Sequence, residues 1–338
     1  MRFTLLCLWM LTVSLSSYAD DTHLQNSLQK VVDEAIADSG FNGGIVVARQ
    51  NQTVLQAFSG FADENEEVKL GKEHQFSPGS VGKEFTTISI MQLVEQGKIN
   101  YQDRIATYIN GLPSWSEQVT VENLMDHTSG LPRIKWKKGI TTADVVHQIK
   151  QATLAFEPGR DYLYSNINVV LRALIVETVS NMTFQDYLNK AIFQIAGMTN
   201  SYQQVNVDGT SPMLVSGDYP TAIKGVTIYV TPLDLLRFEQ ALHSGKLLPL
   251  QAIYNSVSGD SVSGKPNRAR FDFGLYLHDQ NGKLTYWEHD GSNPSHHTLK
   301  FHDFEQDITV VMMSSDGNKS TLFGIKERIV DYLKAKSG

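Results

Sequence analysis

The sequence predicts an α+β fold: an α/β sandwich in which both chain ends build one antiparallel sheet with flanking terminal helices, around an inserted, mainly helical region. Strand patterns occupy residues 43–62 and return at residues 271–315, whereas helical periodicity dominates between them. An amphipathic helical stretch also lies at each end. Because no repeat or linker-like tract divides the chain, residues 20–338 are expected to form one domain. Its sheet region would comprise about residues 22–80 and 245–338, and its helical region about residues 81–244.

The N-terminal elements follow from a change of hydrophobic period. Apolar residues recur at helical spacing from His23 to Ile36, which predicts an opening helix. Two β-rich runs, Ile45 to Ala48 and Thr53 to Ala57, then flank a polar turn and predict a hairpin.

The middle of the chain predicts helices and its last third predicts strands. A helix follows Ser80 and ends at Gly97. Further helices are predicted at Thr120 to His127, Thr142 to Gln151, Asn168 to Asn181, Phe184 to Gln194 and Pro232 to His243. Strands are predicted at Phe271 to Asp279, Lys283 to Gly291, His296 to Asp303 and Asp307 to Ser315, before a final helix at about Ser320 to Ala335.

Residues 1–19 have the pattern of a secretory signal peptide. Arg2 precedes an uncharged apolar run from Phe3 to Leu15, and small residues precede a cleavage site after Ala19. The run is shorter than the roughly 20 residues that a membrane-spanning helix needs. The sequence therefore predicts a secreted or periplasmic protein without a membrane span.

Charge and cysteine content exclude several classes of function. The formal net charge is −7, and loss of Arg2 with the signal peptide would leave 28 basic and 36 acidic residues, a net charge of −8. That balance disfavours nucleic acid and anionic membranes as partners. Because the only cysteine is Cys7, the mature chain would have no disulfide, thiolate nucleophile or cysteine metal site.

Ser80 and Lys83 form the first candidate for chemistry, in the stretch QFSPGSVGKEFT. At the start of a helix, residues three apart share a face, so the Lys83 amine can approach the Ser80 hydroxyl. Serine needs a base to act as a nucleophile, and a neutral lysine in a dry site can supply one. Alone the pattern is weak, because Ser80 could equally be a helix cap.

Two further stretches could complete a site. In YLYSN, Tyr164 and Asn166 are two residues apart and would point the same way in an extended segment, one as a proton relay and the other as a substrate-binding amide. In WEHDGSN, His289 and Gly291 fall near a predicted strand, where a glycine allows close approach of a substrate. The backbone N–H groups of Ser80 and Ser292 could then form an oxyanion hole.

The ordered motifs Ser-x-x-Lys, Tyr-Ser-Asn and His-x-Gly resemble those of the penicillin-recognising serine hydrolases of the class C β-lactamase group. The segments LMDHTSGLP and VTPLDLLRFEQALHSGKLL are also similar to scaffold segments of that family. The resemblance implies the serine β-lactamase fold and acyl transfer to water without a metal or cofactor. It implies Ser80 as nucleophile, Lys83 and Tyr164 sharing its proton, Asn166 and Gly291 at the substrate, and His289 lining the pocket.

The motif His289-Asp290-Gly291 departs from the Lys-Thr-Gly of class C β-lactamases. Because histidine is mostly neutral at pH 7, it pairs less well with a β-lactam carboxylate than lysine does. The pattern is closer to the family's D-alanyl-D-alanine carboxypeptidases and D-aminopeptidases, and its family VIII esterases vary here. The expected substrates are therefore small molecules or short peptides: D-amino-acid peptides, cell-wall peptides among them, or small esters. A weak β-lactamase and an inactive cell-wall peptide-binding relative are the alternatives.

Other histidines offer competing hypotheses. His296, His297 and His302 could suggest a metal site, but neighbours on a strand face opposite ways and no acidic spacing completes a zinc motif. His127 could act in a Ser-His-Asp triad, but no Gly-x-Ser-x-Gly elbow is present, so a buried structural histidine is expected.

Overall fold

The computed structural model describes residues 24–208, 211–218, 221–257, 269–278 and 281–336. The predicted signal peptide at residues 1–19 lies outside these ranges, as do His23 at the start of the predicted opening helix and Asp279 at the end of a predicted strand.

Both ends of the chain meet in a six-stranded antiparallel sheet of order β2-β1-β8-β7-β6-β5, as the sequence predicts. The N-terminal hairpin joins the C-terminal strands through β1 and β8, where Ile45 lies opposite Met312. The strands are β1 (Gly43–Arg49), β2 (Gln52–Ser59), β5 (Leu275–His278), β6 (Leu284–Ser292), β7 (His297–Asp303) and β8 (Ile308–Ser314).

The two faces of the sheet are both covered, so β1 is buried on both sides. Ile45 and Val47 pack with helices α1 (24–39) and α10 (Lys319–Ala335), which lie on one face. Val46 and Ala48 face the larger core formed with the helical region. This double burial explains why the strand appears in the sequence as a continuous apolar run.

The helical region lies on the inner face, and its helices begin at side-chain caps. Thr120, Thr141, Thr183 and Thr231 each accept a hydrogen bond from a backbone N–H three residues on. The region contains α2 (Lys83–Glu95), α3 (Val121–Met125), α4 (Thr142–Lys150), α5 (Asn166–Ser180), α6 (Phe184–Leu188), a π-helical turn (Asn189–Phe193), α7 (Gln194–Ala196), α8 (Pro232–His243) and α9 (Leu250–Val257), with a two-stranded sheet of β3 (Tyr202–Gln203) and β4 (Ile228–Tyr229).

Some predicted boundaries differ from the structure for local reasons. The helix predicted from Thr120 to His127 ends at Met125, because His127 has a left-handed φ of 58°. The strand predicted from Phe271 begins only at Leu275, because Phe271 and Asp272 also have positive φ. Neither α9 nor the β3–β4 pair was predicted.

No single helix among the described residues is both long and apolar enough to cross a bilayer. Only α5 taken together with residues Phe184–Ala196 satisfies those criteria, and these two segments meet at 79°.

Candidate active site

A cleft of about 430 Å³ lies where the 3₁₀ turn Gly79–Gly82, the end of β6 and the helical region meet. Its lining is mixed polar and apolar and comprises Ser77, Gly79, Ser80, Lys83, Trp136, Tyr164, Asn166, Asp218, Thr221, Val226, Thr227, Tyr229, Ser292, Asn293 and Pro294. Five of the residues selected from the sequence are therefore brought together. His289 and Gly291 are not among the lining residues.

Ser80, Lys83 and Tyr164 form a hydrogen-bonded cluster in this cleft. The Ser80 Oγ lies 2.8 Å from the Tyr164 hydroxyl and accepts a hydrogen bond from the Lys83 Nζ at 3.1 Å. Ser80 does not cap α2, whose N-cap is Gly82 without a side-chain cap bond. The hydroxyl is thus available for chemistry, with two groups in place to take its proton.

A buried scaffold holds Tyr164 in position. The His127 ring packs against the Tyr164 ring with centroids 4.7 Å apart. The His127 Nδ1 accepts hydrogen bonds from the Ser165 N–H and the Asn168 amide, and its Nε2 donates to Asp272 at 2.9 Å. Because both ring nitrogens of His127 already have hydrogen-bond partners, neither is available to act as a base for Ser80. The structural role expected for His127 is therefore confirmed.

Asp272 anchors this scaffold and was missed in the sequence, as was its partner Arg172. The fully buried Arg172 donates to the Asp272 carboxylate at 2.8 Å. Burial disfavours ionisation of Asp272, but His127 and Arg172 outweigh it and hold its pKa well below the usual range. Burial also disfavours the charged form of His127, which lowers the pKa of its ring. The scaffold therefore combines a neutral histidine with a carboxylate paired to arginine.

Asn166 lines the cleft, because its neighbour Ser165 is the residue that caps α5. The Ser165 side chain accepts from the Ile167 N–H and caps α5, of which Asn166 is the first residue. The Asn166 Oδ1 is buried and has no hydrogen-bond partner among the described residues. An unpaired buried amide oxygen is suited to receive a donor from a substrate.

Two glycines let the Ser80 turn approach the end of β6. A side chain at Gly291 would place its Cβ 2.0 Å from the Pro78 carbonyl oxygen and 2.8 Å from the Ser80 nitrogen. One at Gly79 would lie 2.4 Å from the Ser292 nitrogen. The space that a side chain at Gly291 would need is thus filled by the protein's own turn, so the predicted contact of Gly291 with substrate would have to involve its backbone. The close approach brings the Ser80 and Ser292 backbones together at the cleft.

His289 points into the interior, and the prediction that it lines the pocket is corrected. Its Nδ1 makes a short contact with a carboxylate oxygen of Glu84, and the residue is 8% exposed. Strand alternation puts His289 on the same face as Gly291, but about 7 Å farther along β6, behind the start of α2. A Cβ at Gly274 would lie 2.7 Å from that of His289, so Gly274 covers it closely.

Glu84 belongs to a buried charge cluster, which is defined here as Glu84, Lys300 and Glu239. The Lys300 Nζ lies 2.7 Å from the Glu84 carboxylate and 2.5 Å from that of Glu239, and none of the three side chains is more than 2% exposed. Burial disfavours ionisation of Glu239, but Lys300 and His243 outweigh it and hold its pKa at about 2. Glu84 directly follows Lys83 in the chain, and Lys300 lies opposite His289 in the pairing of β6 with β7.

The three histidines that the sequence suggests as a possible metal site instead contact other protein groups. His296 bonds to the Ser77 N–H and the Ser216 carbonyl, His297 to the Ser292 hydroxyl, and His302 to Thr309. Within the described ranges, no group of three or more histidine, cysteine or acidic residues is arranged to hold a metal ion.

Comparison with known proteins places the chain in a family. The profile of the Beta-lactamase family matches residues 28–332. PbpX of Bacillus subtilis (strain 168), a putative penicillin-binding protein, is 26% identical over 317 residues, which are 89% of this chain and 78% of its own length. The fold is similar to a penicillin-binding protein from Bacillus halodurans (TM-score 0.76, 22% identity, 88% of this chain and 98% of the other) and to a D-amino acid amidase from Ochrobactrum anthropi SV3 (TM-score 0.75, 21% identity, 94% and 100%). These matches confirm the resemblance noted in the sequence, and this protein belongs to the Beta-lactamase family of serine hydrolases.

Proposed function

We propose that this protein hydrolyses small acyl donors through an acyl-enzyme on Ser80. The observation that carries the proposal is the position of the Ser80 Oγ, which is hydrogen-bonded to both Tyr164 and Lys83. In the first step Ser80 attacks the carbonyl carbon and its proton passes to Tyr164 or Lys83. The same group returns that proton to the leaving group as the carbon–heteroatom bond breaks. Water then hydrolyses the acyl ester by the reverse use of these groups.

The remaining cleft residues have supporting roles in this proposal. The backbone N–H groups of Ser80 and Ser292 stabilise the negative charge that develops on the carbonyl oxygen. Asn166 orients the substrate amide or Lys83. His289 has no contact with substrate in this scheme, because it is bonded to Glu84 behind the cleft.

The proposed substrates are D-amino-acid peptides or small esters. Among the described residues that line the cleft, Lys83 is the only basic one, and it is bonded to Ser80. A substrate carboxylate therefore finds no second cation among the described lining residues, which disfavours efficient β-lactam hydrolysis. The fold similarity to an enzyme named as a D-amino acid amidase supports the inclusion of D-amino acid derivatives.

A substrate panel tests the proposal. The kcat/KM values for a D-Ala-D-Ala peptide, a D-amino acid amide, nitrocefin and short p-nitrophenyl esters are compared for the wild type, Ser80→Ala and Ser77→Ala. Ser77 is a matched control because its hydroxyl also lies in the cleft but is bonded to Asn293. Loss of Ser80 should reduce turnover by about 10³-fold or more, whereas Ser77→Ala should retain it. Equal activity of Ser80→Ala and the wild type would exclude the acyl-enzyme.

Export to the periplasm or the medium, through the signal peptide predicted at residues 1–19, is part of this proposal. N-terminal sequencing of the protein from a cell fraction tests it. Cleavage after Ala19 is expected, and an intact Met1 in the cytosol would contradict it.

A further inference from the structure

Asp218 is an acidic residue in the cleft that the reaction scheme does not use. Its Oδ1 accepts a hydrogen bond from the Ser295 N–H at 3.1 Å, and the neighbouring Gly217 carbonyl accepts one from the Ser295 hydroxyl at 2.7 Å. The side chain is 11% exposed. The segment that follows β6 and Ser292 therefore holds the carboxylate in place at the wall of the cleft.

The second oxygen of this carboxylate is not paired. The Asp218 Oδ2 is buried and has no hydrogen-bond partner among the described residues. Leaving a buried carboxylate oxygen without a donor is costly, so such a group is suited to a partner that arrives from outside.

His296 is close enough to be considered as a counter-charge but does not supply one. Its Nδ1 lies 3.7 Å from the Asp218 Oδ2, but this nitrogen accepts a hydrogen bond from the Ser77 N–H at 3.0 Å. Its Nε2 lies 3.0 Å from the Ser216 carbonyl oxygen and must therefore carry the ring proton. Burial also lowers the pKa of His296. The ring is therefore neutral, and no described residue supplies a counter-charge to Asp218.

The rest of the cleft adds a preference for an apolar group. Trp136 is 47% exposed, and it lines the cleft together with Tyr229, Val226 and Pro294. Asp218 repels a substrate carboxylate and attracts an ammonium group. We propose that Asp218 binds the ammonium group of the substrate, so that the preferred acyl donors are amides, esters or short peptides with a free amino group and an apolar side chain. This inference rests on the proposed function, because it assigns the substrate class of the Ser80 site.

Ligand binding to a chain without the nucleophile tests this inference separately from catalysis. Isothermal titration of Ser80→Ala measures the affinities of D-phenylalaninamide and of its N-acetyl derivative, which lacks the positive charge. The free amine should bind about tenfold more tightly, the effect expected of one charge-assisted hydrogen bond. Adding Asp218→Asn keeps an oxygen for the Ser295 N–H but removes the charge, and should reduce this ratio at least about threefold.

Two controls keep the result interpretable. Asp161→Asn in the same background removes an exposed charge near Tyr164 but outside the cleft lining, and should leave the ratio unchanged. Asp218→Ser replaces Asp218→Asn if circular dichroism shows the latter unfolded. Equal affinities in Ser80→Ala, no binding of the amine, or a ratio that Asp218 substitution does not change would overturn the inference. Failure of the proposed function would appear instead as wild-type protein without Ser80-dependent turnover.

Discussion

Replacing Lys300 with methionine would leave two buried carboxylates without the cation that they share. Lys300 lies 2.7 Å from the Glu84 carboxylate and 2.5 Å from that of Glu239. Its Nζ also lies 4.1 Å from the centroid of the Trp287 ring. Methionine keeps most of the side-chain volume, so the substitution removes charge with little change in packing.

The expected cost follows from the burial of the cluster. Removal of one partner from a buried ion pair typically destabilises a protein by about 3–5 kcal/mol. Both carboxylates of this cluster are buried, with exposed fractions of 0% and 2%. We therefore expect the free energy of unfolding of Lys300→Met to fall by about 3–5 kcal/mol, a large part of the roughly 5–15 kcal/mol of an ordinary domain.

Urea unfolding followed by circular dichroism measures this loss. The double variant Lys300→Met/Glu239→Gln should be more stable than Lys300→Met alone, because only Glu84 then lacks its cation. Lys30→Met on the exposed side of α1 is the control and should stay within about 0.5 kcal/mol of the wild type. A cost below about 1 kcal/mol for Lys300→Met, or full additivity in the double variant, would refute the reasoning.

Three further predictions concern the site and its surroundings. Tyr164→Phe should slow acylation by about 10²–10⁴-fold in stopped-flow assays with a chromogenic ester. A rate within about threefold of the wild type would remove Tyr164 from proton transfer. Gly291→Ala should lower kcat by about 10²–10³-fold, because its Cβ would lie 2.0 Å from the Pro78 carbonyl oxygen and push the Ser80 turn away from β6. An unchanged kcat would show that this contact does not set the oxyanion geometry. Burial, aided by His243, holds the pKa of His302 at about 3, below the ordinary 6.5. The unfolded chain therefore binds a proton at this residue that the folded chain does not, and stability should fall from pH 6.5 toward pH 3 by up to about 1.4 kcal/mol per unit. Urea unfolding between these pH values should show that the free energy of unfolding of His302→Gln depends less steeply on pH, by the contribution of one proton. An unchanged pH dependence would contradict this assignment.

The sequence predicts those parts of the fold that local patterns determine. Helix α8 has its predicted bounds because Thr231 caps it, Pro232 begins it and Asp234 lies in its first turn. The strands of β1 and β2 follow from their apolar runs. Helix α9 was missed because its eight residues make barely two turns, too few for a clear helical period.

The sequence predicts the site residues that belong to local motifs. It misses those whose position depends on contacts with distant segments. Ser80, Lys83 and Tyr164 meet as their motifs indicate. The orientation of His289 depends on Glu84, 205 residues earlier in the chain, and no local pattern reveals that contact. Asp218 lies in an irregular segment without periodicity, so its place in the cleft could not be read from sequence.

The central claim is that Ser80 becomes acylated. Intact-mass analysis after incubation with a fluorophosphonate, a p-nitrophenyl ester or a penicillin tests it most directly, with peptide mapping to locate the adduct. We predict one adduct per chain on Ser80 with the fluorophosphonate or the ester, and none in Ser80→Ala. The absence of an adduct with all three reagents, or an adduct that persists in Ser80→Ala, would contradict the account.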